Sequence, residues 1–342
     1  MKNSEQIHVA LASDNNYFRG LLVTAVSIVE HCSVPQNIVF HILDGGISEE
    51  NWSFLKYQLE ARQAVVQQLL VEQDVFSQLT AWHGTGKMTY ARLLLPDILP
   101  NVNHVIYSDV DFLWLDDVAK LWILKNEELS IQFVRQGLRH PSVFAAEDEW
   151  LHKHGLSIDP DSYFCAGMIL MNLKAFRHNL LHIITLKLLQ ANGGDAPFVD
   201  QTALNVVFSE RTDKEELPSS WQTMTSDRSA FTNGFNIVLH YAGDCPWKPI
   251  CKTNHFLTDF HLLWHRTYSR ICKISIWNSL RADNSIFMIL LGRVLYLATC
   301  HCPFFRLLLK FYLRIREKDA SCLDGIFRLP IIPRESFSPM TT

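Results

Sequence analysis

No apolar run in this chain reaches about 18 residues, so nothing in the sequence is long enough to read as a membrane-spanning helix. Nothing at the start of the sequence reads as a secretory signal either. Met1-Lys2-Asn3-Ser4-Glu5-Gln6 is polar, and the apolar run Val9-Ala10-Leu11-Ala12 is too short, so a cytosolic chain is expected. Cysteine occurs eight times but without a pattern: Cys32, Cys165, Cys245, Cys251, Cys272, Cys300, Cys302 and Cys322. In a reducing compartment these read as free thiols and not as a disulfide framework. Cys300-His301-Cys302 has no second Cys/His pair of suitable spacing, which argues against a zinc module. Charge is sparse at 19 % beside 48 % apolar residues, the balance of a globular protein and not of a disordered one.

The 342 residues suffice for one large domain with an appendage, or for two domains. The net charge of −4 hides an asymmetry: residues 261–342 hold 12 Lys/Arg and 5 Asp/Glu, against 19 and 30 in residues 1–260. A basic end on an acidic body suggests an anionic surface as partner; no nucleic-acid partner is expected. The expected division is a catalytic domain over residues 1–260 and a basic, aromatic-rich helical region over 261–342.

The order of elements is legible. Ile7-His8-Val9-Ala10-Leu11-Ala12 reads as a strand ending in the turn and capping cluster Ser13-Asp14-Asn15-Asn16-Tyr17. Residues 18–31 read as a helix with Leu21, Leu22, Ala25, Ile28 and Val29 on one face. A second strand runs over Asn37-Ile38-Val39-Phe40-His41-Ile42-Leu43 and stops at Asp44-Gly45-Gly46, and Ser48-Glu49-Glu50-Asn51 opens another helix. Residues 64–71 suggest a third strand, and 89–95 a short helix closed by Pro96. This βαβα order argues for a mostly parallel sheet, in which ligands bind outside the carboxyl ends of the strands. The polar stretch 130–162 reads as an irregular excursion over such a site. Phe164 to Asn172 is a further buried strand, and Asp200-Gln201-Thr202-Ala203-Leu204 begins a helix.

The most informative stretch is Tyr107-Ser108-Asp109-Val110-Asp111-Phe112-Leu113-Trp114. Asp109 and Asp111 follow the apolar run Val105-Ile106-Tyr107, which reads as a strand. Residues i and i+2 of a strand share a face. Two acids on one face repel unless a cation lies between them, and a hard divalent ion with oxygen ligands is the usual answer. The other reading is an acidic turn whose carboxylates cap backbone N–H groups. In the last part of the chain, Phe304, Phe305, Leu308, Phe311 and Tyr312 interleave with Arg306, Lys310, Arg314, Arg316 and Lys318. That pattern fits an interfacial membrane helix or an ordinary amphipathic helix packed on the domain.

Seven motifs in order resemble glycosyltransferase family 8, and within it the bacterial enzymes that extend lipopolysaccharide with glucose or galactose. They are Ala12-Ser13-Asp14-Asn15-Asn16-Tyr17, Leu43-Asp44-Gly45-Gly46-Ile47-Ser48, Thr89-Tyr90-Ala91-Arg92-Leu93, Tyr107-Ser108-Asp109-Val110-Asp111, Tyr163-Phe164-Cys165-Ala166-Gly167, Asp200-Gln201 and His240-Tyr241-Ala242-Gly243. The resemblance spans roughly residues 7–260. It implies a nucleotide-sugar-binding GT-A-type mixed sheet flanked by helices, and transfer of a hexose from UDP-glucose or UDP-galactose with retention of configuration. The acceptor would be a lipid-linked oligosaccharide, at the inner face of the cytoplasmic membrane. It also implies Mn2+, or Mg2+ in its place, held by Asp109, Asp111 and His240. Ala12, Asp14, Asn16 and Tyr17 would then contact the uridine and ribose, and Arg92, Gly243 and Lys248 would lie along the rest of the donor. Asp200 and Gln201 would stand beside the anomeric carbon. Asp148 falls where relatives carry an acid on the acceptor side.

The chain departs from the family pattern twice. Cys165 stands where relatives commonly have Asn, exchanging an amide for a weak donor. Pro246 stands where relatives carry a diphosphate-clamping lysine, and Lys248 lies two residues later. These departures keep open a membrane-associated binding protein of the same fold without catalysis. An Asp-based phosphatase-like hydrolase is the remaining alternative. In that group the motif usually lies near the N-terminus, with Thr or Val four residues after its first Asp; here Leu113 holds that place.

Overall fold

The structure, a computed structural model, describes residues 5–81, 86–136, 141–225, 237–243, 245–249 and 257–301. The basic, aromatic stretch after residue 301 lies outside the described residues. The chain divides into two compact units, Met1–Gln222 with Asn236–Val238, and Thr223–Phe235 with Leu239–Thr342.

The first unit is built on a seven-stranded sheet in the order β3-β2-β1-β4-β7-β6-β8. These strands are β1 (Ile7–Ser13), β2 (Ile38–Asp44), β3 (Val65–Leu70), β4 (His104–Ser108), β6 (Ile131–Arg135), β7 (Phe164–Asn172) and β8 (Lys214–Leu217), with a short β5 (Phe112–Trp114) outside the sheet. β3, β2, β1 and β4 are mutually parallel. β7 then runs antiparallel to both β4 and β6, so the sheet is mixed. Central strands covered on both faces need nearly continuous apolar side chains, and β2 and β7 are buried at every position. The outer strands β3 and β8 carry Gln67, Gln68, Lys214, Glu215 and Glu216, polar residues that suit a sheet margin.

The Phe18–His31 helix takes the predicted bounds, but 11 of its 14 residues are buried, so it is covered all round and not along one stripe. The Glu49–Glu60 helix starts as expected, with the Ser48 hydroxyl accepting from Asn51 N.

Three expectations need correction. Pro96 does not close a helix. It sits in the first turn of Leu95–Ile98, where its missing N–H costs no hydrogen bond, after a 3₁₀ segment over Lys87–Leu94. Residues 130–162 are not an irregular excursion: they hold β6 and a helix over Pro141–His154. That helix buries Phe144, Glu147, Trp150 and Leu151, spaced by three and four residues beneath a polar outer face, which is why composition concealed it. Finally, Asp109 and Asp111 are not on a strand. They occupy the bend between β4 and β5.

The second unit contains the parallel pair β9 (Thr223–Met224) and β10 (Val238–His240), β10 entering it at Leu239. Helices follow over Asp259–Cys272, Ile276–Arg281 and Ile286–His301. The segment after β10 packs on them: Tyr241 Oη donates to Phe260 O, and the Trp247 and Trp264 rings lie 5.4 Å apart. No described helix is long and apolar enough to cross a membrane. Among the described residues, Cys32, Cys165, Cys245 and Cys272 form no disulfide.

Candidate functional site

The parallel strands of the first unit end within two residues of one another. Ser13 pairs with Asp44, and Leu11 with Ser108, so Asp14, Asp44 and Asp109 leave the sheet at the same edge. Each carboxylate has its own work there. Asp14 Oδ1 accepts from the backbone N–H groups of Asn16 and Tyr17, 3.0 and 3.1 Å away, and Oδ2 accepts from the Asn16 side chain. The cap gives the turn after β1 a fixed shape. It holds Asn16 exposed and Tyr17 half-buried, while Ala12 is buried at the end of β1. A Cβ added to Gly86 would lie 3.0 Å from Asp14 Oδ2, so a larger residue there would press on the cap. Asp44 is buried and accepts from Gly46 N, Ile47 N and Gln68 Nε2.

Arg92 ties the remaining acids together. Its residue surface is 1 % exposed. Nη2 lies 2.9 Å from Asp109 Oδ1, and Nε lies 2.8 Å from Asp200 Oδ2. Nη1 donates to Ala166 O, Nε to Thr89 O and Nη2 to the Thr89 hydroxyl. The guanidinium carbon stands 4.3 Å from the centre of the Tyr107 ring, a cation–π distance. Burial opposes the charge of Arg92, but Asp109 and then Asp200 outweigh it and hold the group above its usual basicity. Burial pushes the Asp200 carboxyl up, against the pull of Arg92 and of the Thr89 hydroxyl, which donates to Asp200 Oδ1 at 2.8 Å.

Asp109 is fixed from two more directions. Tyr107 Oη donates to Oδ1 at 2.9 Å, and the Asp109 N–H donates to Gly167 O on β7. Burial first drives the Tyr107 hydroxyl well above its ordinary value, so it remains a donor. Val110, between the two acids, is buried, and the Thr24 hydroxyl reaches its carbonyl. The bend thus turns an apolar residue inward and leaves Asp109 and Asp111 half-buried.

Asp200 and Gln201 open the Val199–Phe208 helix. Val199 adopts φ +47°, a left-handed conformation that is unusual for a β-branched residue and marks local strain. Gln201 Oε1 accepts from Ala166 N at 3.1 Å, at the start of β7. Cys165 is buried on the same strand. Asp148 is exposed on the Pro141–His154 helix. In the second unit, His240 ends β10 and is buried, Gly243 turns with φ +72°, and the Lys248 N–H closes a turn onto Cys245 O.

The first unit therefore brings Asp14, Asn16, Tyr17, Arg92, Asp109, Asp200 and Gln201 to one edge of its sheet. Tyr107 and Thr89 were quoted in the sequence motifs without a role, although each donates to one of the acids. Nothing in the sequence marked Glu147.

A mixed sheet flanked by helices, with an Asp-x-Asp bend at the strand ends, defines a GT-A-like glycosyltransferase fold. The solved galactosyltransferase LgtC, in complex with donor and acceptor sugar analogues, superposes with a TM-score of 0.63 at 23 % identity, covering 77 % of this chain and 96 % of that one. Residues 8–251 match the family described as glycosyl transferase family 8, and the chain belongs to that family. The resemblance read from the motifs therefore holds. General stress protein A of Bacillus subtilis (strain 168) is 23 % identical over 290 residues, spanning 79 % of this chain and 98 % of that protein. Probable galacturonosyltransferase-like 7 of Arabidopsis thaliana is 33 % identical over 184 residues, 51 % of this chain and half (50 %) of its own length.

Proposed function

We propose that this protein is a retaining, metal-dependent hexosyltransferase that moves glucose or galactose from its UDP ester to a lipopolysaccharide or related lipid-linked glycan. The observation that carries the reading is the Arg92 bridge. One buried cation fixes both Asp109 of the Asp-x-Asp bend and Asp200 at the helix start. Asp109 and Asp111 offer half-buried carboxylates and His240 a buried imidazole, a donor set that suits manganese. A divalent ion held by these residues would supply positive charge to the diphosphate leaving group. Ala12, Asp14, Asn16 and Tyr17 bind the nucleoside end. Gly243 and Lys248 meet the diphosphate, and Arg92 acts through the two aspartates it holds. Asp200 and Gln201 orient the sugar beside the attacking acceptor hydroxyl.

The protein works at the inner face of the cytoplasmic membrane. The charge asymmetry supports this, and so does the Ile286–His301 helix. Phe287, Leu290 and Val294 are 70, 53 and 61 % exposed along one face of it.

The test is turnover of UDP-glucose and UDP-galactose with and without manganese. Cleavage that requires the metal and vanishes in Asp111→Ala is expected. Equal turnover in that variant, or none by the wild type with either donor, refutes the reading.

A further inference from the structure

Glu147 has no exposed surface. It projects from the Pro141–His154 helix, and its Oε1 accepts from two hydroxyls, Tyr163 Oη at 3.1 Å and Thr202 Oγ1 at 2.6 Å. Each hydroxyl has a single proton. Both protons point at Glu147, so each oxygen can only accept from its other neighbour. The Tyr163 oxygen accepts from Gln201 Nε2 at 2.9 Å, and the Thr202 oxygen accepts from Phe198 N at 3.1 Å.

The opposite end of the Gln201 amide gives an independent check. Ala166 N–H can only donate, and it meets Gln201 Oε1 at 3.1 Å. The two constraints agree: a flipped amide would set N–H against N–H at Ala166 and leave the Tyr163 oxygen without its donor. Burial, and after it Glu147, hold the Tyr163 hydroxyl far above its ordinary value, so its proton stays in place.

We propose that Glu147 is a positioning residue. Through Tyr163 it locks the Gln201 amide in one orientation at the reaction centre, and through Thr202 it holds the strained first turn that presents Asp200 and Gln201. This rests on the reading of Gln201 as the group beside the anomeric carbon. Glu147 does not touch substrate; it sets which end of the amide the sugar meets.

The experiment uses the full chain with UDP-galactose, UDP-glucose and manganese. Kinetics and thermal stability are measured for wild type, Tyr163→Phe, Glu147→Gln and Glu147→Ala. In parallel, the side-chain ¹⁵N amide resonance of Gln201 is followed, assigned by its loss in Gln201→Glu. Tyr163→Phe keeps the ring and removes the relay. It should lower kcat on the order of 10-fold or more with little change in donor KM, the scale of a misplaced group at a reaction centre. The Gln201 resonance should shift with it. Glu147→Gln retains an acceptor oxygen and should recover most of the kcat lost in Glu147→Ala. An unchanged kcat and resonance in Tyr163→Phe overturn the relay. So does a loss of activity that merely tracks the folded fraction. A wild type that turns over neither donor refutes the transferase reading instead, while a resonance that still moves in Tyr163→Phe upholds the relay as the lock on the amide.

Discussion

Arg92 Nε and Asp200 Oδ2 are 2.8 Å apart, with the two side chains 2 % and 1 % exposed. A buried ion pair is weak evidence of net stability, but breaking one partner away strands a charge. That typically costs about 3–5 kcal/mol. Arg92→Leu strands the buried Asp200 and should lower the unfolding free energy by about that order. Urea titration followed by circular dichroism measures it, and a loss below about 1 kcal/mol would show the pair to be unimportant. Arg92→Lys keeps the charge but loses the planar fork that reaches two acids at once, so it should recover only part of the loss.

The Tyr107 hydroxyl is the outer support of a proposed metal ligand, since it donates to Asp109 Oδ1. Removing such a support commonly weakens metal affinity about 10–100-fold. Tyr107→Phe should therefore weaken manganese binding by at least the lower figure, and Asp111→Ala should abolish it. Titration monitored by the electron paramagnetic resonance of free Mn2+ reads both without any substrate. Identical binding curves for wild type and Asp111→Ala would remove the bend from the metal site.

His41 introduces acid sensitivity within the sheet. It is buried on β2, with its Nε2 2.9 Å from His8 Nδ1. Burial, and then His8, hold its pKa down from 6.5 to about 4. The unfolded chain takes up this proton near 6.5 and the folded chain only near 4, so stability is complete above the first value and drains away toward the second. At ~1.4 kcal/mol per pH unit the loss is on the order of 3 kcal/mol. Unfolding free energies across that interval should fall steeply in the wild type and more gently in His41→Gln. Parallel slopes would acquit His41.

Lys248 stands two residues past the place where relatives carry a diphosphate clamp. Its backbone closes a turn onto Cys245, giving the shifted lysine a defined starting point. Lys248→Ala should raise the donor KM or lower kcat roughly 10- to 100-fold, an effect comparable to losing one charge-assisted hydrogen bond of about 1.5–3 kcal/mol. Wild-type kinetics would exclude it from donor binding.

The parts of this protein that obey a short period were readable from the sequence. Apolar runs gave β1, β2 and β7, and Ser48 gave a helix start, because burial on both faces and capping leave local marks. Asp109 and Asp111 were found for a reason that proved incorrect. They share a side because a bend turns Val110 inward, not because a strand alternates. The Pro141–His154 helix was missed because its outer face is polar and its buried positions include an acid. Glu147 could not be read at all. Its partners Tyr163 and Thr202 lie 16 and 55 residues away, and a contact of that range has no local signature.

β7 runs against β4, and this has a consequence for how the family can diversify. Parallel strands deliver their last residues to the working edge of a sheet, whereas an antiparallel strand delivers its first. Ala166 and Gly167 reach Gln201 and Asp109 as the chain enters β7. The connection leading into β7 can thus be lengthened, trimmed or exchanged at its exposed positions while Gly167 stays anchored to Asp109. Exposed positions of that connection can therefore vary without disturbing the Ala166 and Gly167 contacts or the two hydroxyls that hold Glu147.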